Sequence, residues 1–305
     1  MNQTPFFSVV IPSYNRAGLL KAVLQSVQAQ TFADFEIVLV DDGSTDDTER
    51  VVKEIAAVDP RIRYQHQLNA ERGAARNTGI RVCKGDFVVF FDSDDEMKPD
   101  YLQVLQEGIQ QHPEYAFYAA RYLFLSGGKL FPSGITAVPA GPHGVELVLK
   151  GNPFSCNFCV RRAHPGLVLF ETDRTLATME DWMFLVENLH SGEQILLLEP
   201  VGVLMHEHEG RSMQQNELLI QRRKKAADRL LERHTFTVSQ QKILTAYSDY
   251  FCSIHAYLDH DRTGSLRYLL RSVKAVGWNA LFAKAALKYM AGRSLILKLS
   301  RRNEG

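Results

Sequence analysis

Cysteine is scarce in this sequence. The four present, Cys83, Cys156, Cys159 and Cys252, lack the dense spacing of a disulfide framework, which excludes a small stapled secreted fold and favours a reducing compartment. Cys156 and Cys159 make a CxxC, but there is no second pair to complete a zinc site, and Phe158 stands inside the motif. Zinc and dithiol redox chemistry are therefore set aside. No uninterrupted apolar run approaches the ~20 residues that span a bilayer, so an integral membrane protein is not expected. The opening Met1-Asn2-Gln3-Thr4-Pro5 has no basic region and leads at once into Phe6-Phe7-Ser8-Val9-Val10-Ile11, which reads as a first strand rather than a signal peptide. No GxGxxG follows that strand, which counts against a dinucleotide site. Repeats and low-complexity segments are absent too. Net charge is +0, but it is unevenly spread: residues 1–210 hold 17 Lys+Arg against 28 Asp+Glu, and residues 211–305 hold 18 against 7. Two functional regions are expected.

What is present is an ordinary globular composition, 45% hydrophobic and 23% charged over 305 residues, enough for one large α/β domain with an appendage. Apolar runs alternate with helical patterns over the first ninety residues or so. Strands are expected at Ser8–Ile11, closed by Pro12, then at Phe35–Val40, Ile62–His66 and Phe87–Phe91, with helices over Ala17–Gln30, Asp46–Val58 and Arg72–Val82. Such alternation implies a doubly wound, mostly parallel sheet with flanking helices. A helix is expected from Pro99 to His112, a turn at Gly127-Gly128, and a loop over 130–142. A strand at Phe158–Arg161, a helix opening at Met179-Glu180-Asp181-Trp182, and two strands at Ile195–Leu198 and Val201–Met205 complete this part. The pattern is helical from Ser212 onward. The organisation expected is a catalytic domain over 1–211 and a basic helical extension over 212–305.

In such sheets ligands sit beyond the carboxyl ends of the strands. Those ends carry polar chemistry here: Ser13-Tyr14-Asn15, Asp41-Asp42, and Asp92-Ser93-Asp94-Asp95. Acids gathered on one rim repel each other, which speaks against a structural role unless a cation is present. Asp92 and Asp94, one residue apart at a strand end, can reach one hard cation, Mg²⁺ or Mn²⁺, together with diphosphate oxygens. Taken alone, the tripeptide also fits a solvated turn.

Four segments occur in order: Ser8-Val9-Val10-Ile11-Pro12-Ser13-Tyr14-Asn15, Val40-Asp41-Asp42-Gly43-Ser44-Thr45-Asp46, Gly73-Ala74-Ala75-Arg76-Asn77 and Phe91-Asp92-Ser93-Asp94-Asp95. Together they resemble the family 2 inverting glycosyltransferases of GT-A fold, strongly over the first hundred residues or so, and Glu180-Asp181-Trp182 extends the likeness. The resemblance implies a nucleotide-sugar donor, most simply a UDP-sugar, and a hydroxyl acceptor that is a glycan or is lipid-linked. It implies that Pro12, Tyr14 and Asn15 contact base and ribose, and that Asp42, with Asp41 beside it, reads the uracil edge; a carboxylate can accept the imide N–H that cytosine lacks. Arg72 and Arg76 are partners for base or diphosphate, although Arg72 also reads as helix-surface solubility. Asp92, with Ser93, lies near the ribose or reaches the metal through water, and Asp94 is the direct ligand of Mn²⁺ or Mg²⁺. In the pair Glu180-Asp181 the second carboxylate is the general base; inversion by single displacement needs one opposite the leaving diphosphate. A histidine of His206-Glu207-His208 is an additional metal or diphosphate contact, with His208 preferred, or belongs to a loop with no ligand. The CxxC is a structural neighbour of the acceptor side.

Between Arg262 and Asn303 there is no acid, while Arg267, Arg271, Lys274, Lys284, Lys288, Arg293, Lys298, Arg301 and Arg302 are present. Leu266, Leu269, Leu270, Val273 and Val276 recur at helical spacing, and Trp278, Leu281, Phe282, Ala285 and Tyr289 continue the stripe. Two readings stay open: residues 263–302 lie on an anionic membrane surface, or they form helices packed on the core with solvated charges. Nucleic-acid binding is disfavoured because the cations accompany an apolar stripe. The expected location is cytoplasmic, or peripheral on the cytoplasmic face of the membrane, in the synthesis of cell-surface polysaccharide or glycolipid. Two rival functions are weighed. A sugar nucleotidyltransferase carries a Gly-rich basic loop after its first strand, which Ser13-Tyr14-Asn15-Arg16 is not. A non-catalytic nucleotide-sugar-binding module need not keep both Asp94 and Asp181.

Overall fold

The structure, a computed structural model, describes residues 4–206 and 215–290. Chain contacts divide it into two compact units, Met1–Val148 with Asn152–Arg211, and Leu149–Gly151 with Ser212–Gly305. The boundary expected between residues 211 and 212 falls outside the described residues.

The first unit opens with β1 (Phe7–Ser13), α1 (Ala17–Gln28), β2 (Phe35–Asp41), α2 (Thr48–Ala56), β3 (Ile62–His66), α3 (Glu71–Val82) and β4 (Phe87–Phe90). All seven residues of β1 and of β2 are buried, the mark of strands covered on both faces of a parallel sheet. In α1 the buried residues are Leu20, Val23, Leu24 and Val27, the apolar stripe visible in the sequence. After β4 come β5 (Asp95–Met97), α4 (Tyr101–Gln111), β6 (Phe117–Ser126), β7 (Lys129–Pro132), β8 (Gly141–His143), α5 (Val145–Leu149), β9 (Phe158–Arg161), α6 (Glu180–Leu189) and β10 (Ile195–His206). The sheet order is β3-β2-β1-β4-β9-β6-β10-β5, with β7 on β6 and β8 on β10. β3, β2, β1 and β4 are parallel, β9 runs against β4 and β6, and β6 is parallel to β10. This is the mixed, mostly parallel α/β sheet with flanking helices that the alternation implied.

Four local expectations are corrected. Pro12 does not close β1, which runs on to Ser13. The Val10 carbonyl accepts from Phe91 N, so Pro12, two residues on, turns the same edge past Phe90, where β4 has ended. Its missing N–H leaves no ladder bond broken there. The stretch 130–142 is not all loop, because β7 and β8 recruit it by backbone pairing to β6 and β10. Residues 195–206 form one strand with register shifts around Val201 rather than two. And β5, invisible as an apolar pattern, exists because Met97 and Asp95 pair with Val203 and Met205 of β10.

The second unit carries α7 (Asn216–Arg233), α8 (Val238–Leu258) and α9 (Arg262–Val276), followed by a helical stretch over residues 280–290. Thr237 and Gln240 form a reciprocal capping box at the start of α8, which satisfies donors that a helix N-terminus otherwise leaves unpaired. Tyr257, Leu269, Phe282, Ala285 and Tyr289 make a buried core. Arg293, Lys298, Arg301 and Arg302 of the basic tail lie outside the described residues.

Candidate active site

β1 and β2 run in register up to Ser13 and Asp41, so the segments leaving them begin side by side. They are stitched together. Asp42 N donates to the Ser13 carbonyl at 2.8 Å, Asn15 N to Ser44 Oγ at 2.9 Å, and Thr45 N to Asn15 Oδ1 at 2.8 Å. Asn15 does this at φ +52°, a conformation Asn reaches more readily than most residues. Its amide thus organises the rim, while Tyr14 leaves its ring 49% exposed.

The rim acids do not face one another unpaired, as the sequence had implied without a cation. Asp41 accepts from Ser44 N at 2.9 Å and from the Tyr64 hydroxyl at 2.6 Å; burial and that bond raise the Tyr64 pKa. Asp42 accepts from Gln67 Nε2 at 2.7 Å and Ala70 N at 2.8 Å through Oδ1, and from Asn69 Nδ2 at 3.2 Å through Oδ2. Uncharged donors within the fold take the place of water around these two carboxylates.

Arg76 does it for the next pair. The Arg76 side chain is buried, with Nη2 2.8 Å from Asp92 Oδ1 and Nη1 3.1 Å from Glu180 Oε1, and its guanidinium lies 5.4 Å from the Phe170 ring centroid. Burial by itself would lower its pKa, but the carboxylates around it, Asp92 and Glu180 first, hold it above the ordinary guanidinium value. A buried cation is tolerated only with such partners. One turn earlier, Arg72 meets the same Glu180 oxygen at 3.5 Å and stays 40% exposed, so of the two arginines it is the one with an open face.

Helix α3 reaches Glu180 because of what its sequence omits. A Cβ on Gly73 would lie 2.4 Å from the Glu171 carbonyl and 3.4 Å from Glu180 Cβ. Asn77 exchanges two bonds with the Phe170 backbone, at 2.8 and 2.9 Å, which fixes the segment that leads to α6.

At the first turn of α6, Asp181 Oδ1 accepts from Trp182 N at 2.7 Å, and Oδ2 accepts from Asn152 Nδ2 at 2.9 Å. Burial and the neighbouring Glu180 push the Asp181 pKa up to about 7, against the pull of Arg76, the Trp182 bond and Arg72. That is the range a general base needs near neutrality. Asn152 is itself held, donating to the Ser155 carbonyl at 2.7 Å and accepting from Phe154 N at 3.0 Å. Trp182 Nε1 donates to the Val148 carbonyl at 2.7 Å. Cys156 and Cys159 are free and buried, and burial raises both thiol pKa values well above the ordinary range.

Asp92-Ser93-Asp94 follows the end of β4 directly. Ser93 is buried, and the Asp94 side chain is 24% exposed with Arg16 Nη2 at 3.4 Å. Met205 pairs with Asp95, which brings His206 to the Asp94 end of β5, its Nε2 3.6 Å from Glu96 Oε2. His208 lies outside the described residues. Among the described residues no three His, Cys, Asp or Glu side chains gather as a metal cage. Mg²⁺ and Mn²⁺ do not demand one, since they commonly take one or two carboxylates plus phosphate oxygens and water. A hard carboxylate at the open rim, as Asp94 is, fits that donor set.

The sequence reading missed Arg16 and Asn152. Arg16 had a signal, standing next to the polar segment after β1. Asn152 had none, since only the fold of residues 150–157 brings it to Asp181.

The acids described lie where the parallel strands β1, β2 and β4 end, the edge at which α/β sheets hold ligands. A family profile, Glycosyl transferase family 2, matches residues 8–162. EpsH, a putative glycosyltransferase of Bacillus subtilis, is 39% identical over 168 residues, 53% of this chain and 48% of its own length. The chain spans about half or less of the length of curated relatives it matches. Among solved structures, S. aureus TarS 1-349 in complex with UDP-GlcNAc is similar at a TM-score of 0.67 with 21% identity, covering 88% of this chain and 81% of that one. The mannosyltransferase PcManGT of Pyrobaculum calidifontis, in complex with GDP-Man and Mn²⁺, gives 0.60 with 17% identity, covering 93% and 79%. These two likenesses concern the fold, which is GT-A. The chain belongs to glycosyl transferase family 2.

Proposed function

We propose that this chain transfers a sugar from a nucleoside diphosphate donor, a UDP-sugar, to a hydroxyl acceptor with inversion at the anomeric carbon. The observation that carries the reading is the Arg76 bridge. One buried cation ties Asp92, on the donor side, to Glu180, next to the titrating Asp181. Residues 1–211 form the catalytic domain. Pro12, Tyr14 and Asn15 line base and ribose, Asp42 with Asp41 reads the uracil edge, and Asp92 with Ser93 steadies the ribose. Arg72 offers its open face to the diphosphate, and Arg76 keeps the carboxylates around it in place. Asp181, ionised, takes the proton from the acceptor hydroxyl on the face opposite the leaving group, and Asn152 orients it. Asp94 and His208 would hold Mn²⁺ or Mg²⁺, which would supply positive charge beside the departing diphosphate.

The acceptor is a glycan or lipid-linked hydroxyl in cell-surface polysaccharide or glycolipid synthesis, on the cytoplasmic side. UDP release from a panel of UDP-sugars, with and without Mn²⁺, tests this. Asp181→Asn is expected to lose about 10²–10⁴-fold in kcat while still binding UDP. Asp94→Ala is expected to lose the response to Mn²⁺. Full turnover in Asp181→Asn would overturn the base, and metal-independent turnover in the wild type would overturn the metal.

A further inference from the structure

The apolar stripe read from the sequence across residues 266–289 divides in two once the chain is folded. Helix α9 ends at Val276, and Gly277 follows at φ +78° and ψ 178°, an extended positive-φ backbone that glycine adopts and that cannot continue a helix. The next helical stretch, 280–290, therefore starts afresh. From these two elements Leu269, Phe282, Ala285 and Tyr289 turn inward and pack with Tyr257 of α8. That half of the stripe is spent on the helical unit's own core. A different half is left outside: Leu270 61%, Trp278 61%, Leu281 44%, Leu287 66% and Met290 66% exposed, with Leu266 at 37%.

Singly scattered exposed apolar residues need no explanation. Here they fall within one stretch without an acid, Leu266 to Met290. Leu266 and Leu270 share a face of α9, and Trp278 stands in the short connection beyond it. Exposed Arg267, Lys274, Lys284 and Lys288 lie between them. Two cations of the stretch have partners in the unit, Arg271 with Asp249 at 3.0 Å and Lys288 with its Nζ 6.0 Å from the Tyr257 ring centroid. No acidic residue occurs from Arg262 to Asn303. A second copy of this chain docking face to face would bring like charges together. A nucleic acid would use the cations and leave the leucines and Trp278 exposed. A bilayer rich in anionic phospholipid takes both: leucine, methionine and tryptophan enter the headgroup–acyl boundary while lysine and arginine meet the phosphates.

We infer that the outer face of α9 and of residues 280–290 docks on an anionic phospholipid surface. This inference does not depend on the transfer reaction, and UDP release from a soluble acceptor assay reports that reaction separately. The test is co-sedimentation of the full chain with vesicles of phosphatidylcholine alone or with about 30% phosphatidylglycerol, at low salt and at about 0.5 M salt, where screening is strong. The expected result is binding to the phosphatidylglycerol vesicles that weakens on plain phosphatidylcholine and at high salt. The triple change Leu270→Glu, Trp278→Glu, Leu287→Glu is expected to lower binding about tenfold or more, as charges at these depths oppose insertion. A second variant, Lys274→Glu with Lys284→Glu, alters only solvated side chains and is expected to abolish the preference for phosphatidylglycerol. Circular dichroism of both variants should match the wild type. The proposal is overturned if the wild type ignores anionic vesicles at low salt, or if both variants bind as well as it does. It is also overturned if sedimentation velocity shows a dimer that the triple change dissociates without any vesicle binding.

Discussion

Asp181 is raised by burial and by Glu180, and restrained by Arg76, the Trp182 N–H and Arg72. Its native pKa, about 7, lies above the ~4 of an unfolded aspartate. The folded chain therefore keeps a proton that the unfolded chain releases, and the stability this contributes is complete below about pH 4 and lost as the pH rises through about 7. Asp181→Asn removes that dependence. The melting temperature of the variant minus that of the wild type is expected to grow between about pH 5 and pH 8, and a flat difference in a thermal-shift series would contradict the raised pKa. Asn152 acts in the opposite sense, since its amide hydrogen stabilises the ionised carboxylate. Asn152→Ala is expected to shift the rising limb of the pH–rate profile to higher pH and lower kcat, with the donor KM unchanged. A merely structural residue would leave the position of that limb unmoved.

Among the elements, α3 sets the geometry of the site because it carries Arg72, Gly73, Arg76 and Asn77 within two turns. Gly73 lets the helix touch the chain ahead of α6, and Arg76 then spans the gap between Asp92 and Glu180. Gly73→Ala forces a Cβ against the Glu171 carbonyl. The expected cost is about 1–3 kcal/mol in denaturant unfolding, with a drop in kcat because α3 and α6 move apart. Retention of both stability and kcat would mean that the close approach is not needed. Most of these elements were legible beforehand: β1 to β4 and α1 to α3 came from apolar period and run length. The antiparallel β5, β7 and β8 were not. All three are short and partly exposed; β5 and β8 are held extended by β10, far away in sequence, and β7 by a hairpin with β6 across Gly127-Gly128.

On the scale of the whole molecule, the chain divides into two compact units with different contents, a sheet with flanking helices and a set of helices. Each has its own core. Phe282→Ala empties a fully buried position in the second, with an expected loss of about 3–5 kcal/mol. Hydrogen exchange is expected to quicken in α8 and α9 while β1, β2 and β4 stay protected and UDP still binds; uniform loss of protection would show that the units unfold as one. The sequence alone determined the α/β class and the family resemblance, because the period and order of apolar and polar residues are local properties. It also brought Asp42, Asp94 and Asp181 forward as candidates, through motifs with a fixed place at strand ends and a helix start. Only the tertiary structure decided how those acids are satisfied, that Arg76 is a buried bridge, and that Asn152 holds Asp181. It also decided which half of the C-terminal apolar stripe is spent on a core. Each of these depends on which side chains meet across long stretches of chain, and no local pattern encodes such a meeting.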